Sequence, residues 1–162
     1  MPVISGGVVT QPGQYLAHQF LFTEASGNNA AGTYDASVTI PGGAYIVDVI
    51  VHGVALWNSS GACTLIVGDA TDPDGFFTGV DLKATDLLAA EGLSMSGGTA
   101  LAGGKIGADV ANSQFNRRWL ATSRVVTATV TCAAASGTTG VTRVLVVYTD
   151  PATAQNAAFT AS

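Results

Sequence analysis

The sequence predicts an all-β domain: an antiparallel two-sheet β-sandwich of jelly-roll type, with about eight strands and at most one short helical turn. Three observations carry that expectation. Two-residue alternation of apolar and polar side chains recurs along the chain, while helical periodicity is almost absent. Turn residues (Gly, Asn, Ser, Pro) separate the alternating segments, and no helical crossover of the kind a parallel sheet requires lies between them. The length of 162 residues suits one domain with one core.

Tyr15 to Phe22 reads as the first strand, led in by the Gln11-Pro12-Gly13 turn. Tyr34 to Ile40 places Tyr34, Ala36, Val38 and Ile40 on one face and Asp35, Ser37 and Thr39 on the other, and Pro41-Gly42-Gly43 ends it. Ala44 to Trp57 is the longest candidate, with Tyr45, Val47, Val49 and Val51 on one side and Ile46, Asp48, Ile50 and His52 on the other. Gly53 marks a bulge or bend within it. Ala62 to Val67 follows. Thr85 caps a single helical turn over Asp86 to Glu91, which Gly92 ends. Ser94 to Lys105 holds one short strand among loops, and Phe115 to Leu120 forms another. Val126, Ala128, Val130 and Cys132 alternate with Thr127, Thr129 and Thr131. Val141 to Tyr148 closes the fold, with Val144, Val146 and Tyr148 opposing Arg143, Leu145 and Val147. The sandwich spans residues 13–149, preceded by an N-terminal arm (1–12) and followed by a C-terminal tail (150–162), both small, polar and hardly periodic. An immunoglobulin domain is excluded, because Trp57 precedes Cys63 instead of following it.

Only 10% of residues are charged, against roughly 25% in an average soluble domain. Asp48 and His52 interrupt the most hydrophobic stretch, so no apolar run of membrane-spanning length exists. Met1 to Gly7 lacks the basic-then-apolar pattern of a secretory signal. The net charge is −5 and the largest basic group is Arg117-Arg118, which argues against nucleic-acid binding. A weakly charged surface with positive mean hydropathy points to one covered by other protein.

Chemistry-bearing motifs are incomplete. Asp69, Asp72 and Asp74 lie in a loop with the look of a calcium site. Aligned to an EF-hand on Gly75, the loop has Ala70 at the first ligand position and Asp81 at the twelfth, so these three aspartates are at most weak calcium candidates, and a turn between strands is the expected role. Gly98 to Ile106 lacks the first glycine and the final hydroxyl of a phosphate loop. The histidines are His18 and His52. Asp48 shares a strand face with His52 at a separation of roughly 13 Å, beyond hydrogen-bond reach. Ser94 lacks the setting of a nucleophile elbow. Cys63 and Cys132 read as small core residues that can pair only if their strands are neighbours, and no Cys/His set has metal-ligand spacing. No catalytic residue, cofactor site or enzyme activity is therefore expected. Trp57 and Trp119 sit at strand ends, where a tryptophan plugs a sandwich rim or an interface, and Arg117-Arg118 beside Trp119 is a basic-aromatic group suited to a protein contact. Trp57, Arg117, Arg118 and Trp119 are the expected interface residues.

The segments Tyr34-Asp35-Ala36-Ser37-Val38-Thr39-Ile40-Pro41, Gly68 to Phe77 and Val141 to Tyr148 resemble small head decoration (capsid cement) proteins of tailed bacteriophages, over about half of the chain. The resemblance implies a β-rich domain, commonly trimeric, that sits on the capsid lattice and reinforces it without catalysis. It carries no site residues over. The function it implies is that of a virion structural protein on the capsid exterior, made in the host cytoplasm, with the major capsid protein and its own copies (a homotrimer) as partners, and neither nucleic acid nor membrane. A tail or head-fibre component and a carbohydrate-binding β-sandwich are the alternatives.

Overall fold

The computed structural model describes residues 15–24, 31–88, 92–95, 118–134 and 137–149. They form eight strands: β1 (Tyr15–Thr23), β2 (Gly32–Ile40), β3 (Ile46–Ala55), β4 (Cys63–Asp69), β5 (Phe77–Asp81), β6 (Leu93–Ser94), β7 (Arg124–Cys132) and β8 (Val141–Thr149). A single 3-10 turn, Thr85–Leu88, is the helical content among the described residues.

One sheet has the order β1-β8-β3-β6 and the other β2-β7-β4-β5, and every pairing is antiparallel. The pairs β1–β8, β2–β7, β3–β6 and β4–β5 are nested. The chain thus behaves as one long antiparallel ribbon wound so that successive pairs fall in opposite sheets, which is the jelly-roll arrangement.

Alternation built the core as expected in most strands. Val38, Val126, Ala128, Val130, Leu65 and Val67 are buried from the second sheet, facing Val49, Val51, Val144, Val146 and Tyr148 from the first. Fully burying each large aliphatic side chain contributes about 1.5–3 kcal/mol against the entropy of ordering the chain. Pro41-Gly42-Gly43 turns β2 out of its sheet. A Cβ on Gly42 would lie 2.5 Å from the Ala121 carbonyl, so only glycine permits the 121–123 backbone to pass there.

Three expectations are corrected. In β3 a register shift between Ile46 and Asp48 reverses the phase, so that Ile46 is buried together with Val49 and Val51 while Tyr45 is exposed. A second irregularity falls between Gly53 and Ala55, as the glycine suggested. The segment Phe77–Asp81, not expected as a strand, forms β5 with a shift opposite Gly79. Within 115–120, residues 115–117 lie outside the described residues, and the rest makes only an isolated bridge, Tyr45 to Trp119. The arm (1–12) and tail (150–162) also lie outside them. Cys63 and Cys132 fall opposite each other in the β4–β7 register and form a disulfide.

Candidate functional site

At one end of the sandwich the expected interface residue Trp57 is buried. Its indole Nε1–H donates to Thr142 Oγ1 at 2.9 Å, and Gly140 lies flat against the ring. Beside it Glu24, 2% exposed, accepts hydrogen bonds from the backbone N–H groups of Asn58 (3.0 Å), Ser59 (2.9 Å) and Gly140 (2.9 Å). One carboxylate thereby fastens the end of β1 to the β3–β4 and β7–β8 connections. Nothing in the sequence pattern around Glu24 announces this, because the three donors belong to distant segments. The Cys63–Cys132 disulfide and Lys83, whose ammonium donates to the carbonyl oxygens of Ser59 (2.7 Å) and Gly61 (3.3 Å), complete a structural closure.

The aspartate loop connects β4 to β5 at the opposite end. Asp69 accepts from the N–H groups of Thr71 (2.9 Å) and Asp72 (3.2 Å), closing an Asx turn. Its other oxygen meets Arg124 Nη1 at 3.4 Å, and the Arg124 guanidinium rests 5.7 Å from the centre of the Phe76 ring. Asp69 is thus committed to holding its loop and to a buried cation. Among the described residues no group of three His, Cys, Asp or Glu side chains is placed to hold a metal ion. A cleft of about 520 Å³ beside this loop, lined by Thr39, Asp69, Leu120, Ser123 and Arg124, gathers no other charged groups among the described residues. Asp48 accepts from the Val49 N–H and from the Ser94 hydroxyl, and His52 stands opposite Arg143 in the register.

Arg117 lies outside the described residues. Arg118 is buried: its Nη1 donates to the Val47 carbonyl at 3.3 Å, and its own carbonyl accepts from Ile46 N (2.9 Å) and Arg124 Nη2 (3.0 Å). These bonds lay residues 118–120 along the start of β3 and turn Trp119 outward.

Trp119 then falls into a row that the sequence alone does not show. Trp119 bridges Tyr45. Tyr45 exchanges hydrogen bonds with Thr149 (Thr149 N to Tyr45 O, 2.9 Å; Tyr45 N to Thr149 Oγ1, 2.9 Å), and Thr149 pairs with Tyr15. Their chain neighbours Ile46, Tyr148 and Arg118 point inward and are buried, so the row faces out. Tyr15 is 62%, Tyr45 41% and Trp119 55% exposed. The row crosses three inter-strand spacings, roughly 14 Å. Its three rings leave on the order of 300 Å² open to a partner. Beyond it, half-buried Val147, Leu145 and Ile50 continue the outer sheet face, with Asp48 and Arg143 among them.

The outer face of the other sheet is hydroxylated. Thr33, Ser37 and Thr39 on β2 run beside Thr127, Thr129 and Thr131 on β7, with Thr33 and Thr131 hydroxyls 3.4 Å apart. Few charges interrupt the two broad faces: Asp48 and Arg143 stand on the first, Asp35 and Asp81 on the second.

No family model and no curated protein matches the chain. In backbone fold it is similar to a chain of the acidic stable capsid structure of Helicobacter pylori bacteriophage KHP30, with a TM-score of 0.52 and 17% identity over 85% of this chain and 88% of that one. A chain of the cyanophage Pam1 capsid asymmetric unit superposes with a TM-score of 0.44 and 20% identity over 92% of each chain. The first likeness establishes a shared fold.

Proposed function

We propose that this chain is a structural, non-catalytic protein of a phage virion, one that decorates and stabilises the capsid exterior by binding the lattice of the major capsid protein. The exposed aromatic row carries the proposal. Tyr and Trp are enriched where protein interfaces concentrate their energy, and here three of them stand in line on a face with few charged side chains. The shared fold with a chain from the KHP30 capsid supports the same reading. So do the resemblance in the strand and loop segments and the commitment of Asp69, Glu24 and Asp48 to structural hydrogen bonds.

The magnitudes favour lattice binding over a solitary contact. Burying about 300 Å² at about 25 cal/mol per Å² yields roughly 7 kcal/mol before association costs of 4–15 kcal/mol. One row binds weakly. Copies linked as an oligomer, a homotrimer in this reading, would engage a repeating lattice together and gain by multivalency.

The test is co-sedimentation of the purified protein with capsids that lack it. Saturable binding at a fixed copy number per capsid is expected, and absence of binding overturns the proposal. Antibody labelling of intact virions checks location, and label confined to tail or head fibres would assign the protein there. The row also fits stacking against sugar rings, a use that jelly rolls serve in lectins. Trp119-dependent signal on a glycan array, without capsid binding, would replace the capsid reading by that one.

A further inference from the structure

Two four-stranded sheets present four edges, and three of them are guarded. β6 has only two residues. β5 has five, is broken by the irregularity at Gly79 and ends on exposed Asp81. β2 carries exposed Asp35 at mid-strand. Short strands, bulges and charges are the devices that keep sheet edges from pairing with other chains. β1 has none of them. It runs nine residues in unbroken register with β8 and contains no Lys, Arg, Asp, Glu or Pro. Its one histidine, His18, is stacked on Tyr148 with ring centres 6.0 Å apart.

The direction of its backbone groups follows from one bond. Glu24 N donates to Gly140 O at 2.8 Å, so the even-numbered residues of β1 bond to β8. The N–H and C=O groups of Tyr15, Ala17, Gln19 and Leu21 therefore point to the open edge, and these groups have no partner among the described residues.

We propose that this edge is completed by β-augmentation, with residues 3–10 of a second copy of the chain as the added strand. Pairing along Tyr15 to Leu21 needs seven residues, roughly 23 Å of strand, and residues 3–10 supply eight. They include Val3, Ile4, Val8, Val9 and Thr10, and no charged side chain occurs between Pro2 and Gln14. Residues 150–162 begin Asp150-Pro151 and are rich in alanine, a poorer strand composition. The sequence Pro12-Gly13 between residues 3–10 and β1 disfavours pairing of the arm with the β1 of its own copy. Proline at the first turn position selects type I or II turns, whose twist splays the two flanking strands instead of pairing them. Mutual exchange of arms joins copies into a closed oligomer and deepens the virion reading, which rests on many copies acting together.

Light scattering of the purified protein tests the exchange without any capsid. The full chain is expected to be oligomeric. Deletion of residues 1–12, Gln19→Pro (which removes an outward N–H only) and the pair Ala17→Lys with Leu21→Lys should each give monomers with an unchanged far-UV spectrum. A peptide of residues 1–12 should bind the truncated chain one to one, and at least tenfold more weakly once Gln19→Pro is added. A truncated chain that stays oligomeric, a monomeric full chain, or a peptide that does not bind overturns the inference. Intact arm exchange without capsid binding would overturn the decorating role and leave the exchange standing.

Discussion

Replacing Glu24 by Gln isolates the electrostatic part of the closure at the Trp57 end. The side chains are nearly isosteric, so packing changes little. Glu24 Oε1 accepts from Ser59 N and Oε2 from both Asn58 N and Gly140 N. The amide oxygen of Gln is best placed at the Oε2 position, keeping two bonds. Its NH2 group then faces the Ser59 N–H, and that buried donor is orphaned at a cost of about 1–3 kcal/mol. The two retained bonds lose their charge assistance, about 1 kcal/mol each. The sum is about 3–5 kcal/mol, a large part of the 5–15 kcal/mol that stabilises a typical domain. Glu24→Ala leaves all three donors unpaired and should cost more, unless water enters. Equilibrium denaturation in urea measures both as a fall in midpoint at constant slope. A loss under about 1 kcal/mol for the Gln variant, with the slope unchanged, would show that the three bonds do not hold the loops.

Three further outcomes follow from other contacts. Reducing the Cys63–Cys132 disulfide, or replacing both cysteines by Ala, should lower stability by about 4 kcal/mol in the loop-entropy account for a separation of 69 residues, read as a drop in Tm in reductant. Trp57→Phe removes the bond to Thr142, leaves that fully buried hydroxyl without its indole partner, and should cost about 2–3 kcal/mol by thermal or chemical denaturation. Trp119→Ala should leave Tm within about 2 °C, because the ring is exposed, yet weaken capsid co-sedimentation at least tenfold; unaltered binding would remove the row from the interface.

Strands with strict alternation were legible in the sequence. In β2, β7 and β8 the inward residues were those the two-residue period marked, since each strand keeps its phase from end to end. β3 is shorter than the expected Ala44 to Trp57, and its faces change over at its start. A single extra residue near Val47 swaps the sides, and no local signal separates Val47 from its apolar neighbours. β5 escaped notice because Gly79 leaves it five residues with no sustained alternation. The site was less legible than the fold. Trp119 was identified from its residue type, but Tyr45 joins it through a bridge between distant segments, and Tyr15 joins the row only through Thr149, 104 residues from Tyr45. Likewise, a lone Glu24 reads as surface until loops from three parts of the chain close around it. Local patterns report which way a side chain faces within one strand, and they carry no information on which distant strand lies beside it.

The nested pairing of the ribbon has a consequence for how the chain reaches its fold. The β4–β5 pair joins neighbours in sequence, whereas β1–β8 joins residues that begin and end the described domain. Closing the outer pair first would sacrifice the entropy of a loop of more than a hundred residues. Closing the inner pair first makes each later pair a short extension of structure already formed. The domain should therefore zip outward from the Asp69 turn, with φ-values high in β4–β5 and low in β1. During synthesis, β8 is the last of the described strands to emerge, and until it does the valine-rich β3 lacks the neighbour that covers most of its length. The same topology that seats both ends of the domain in one row leaves both β1 and the valine-rich β3 waiting for β8.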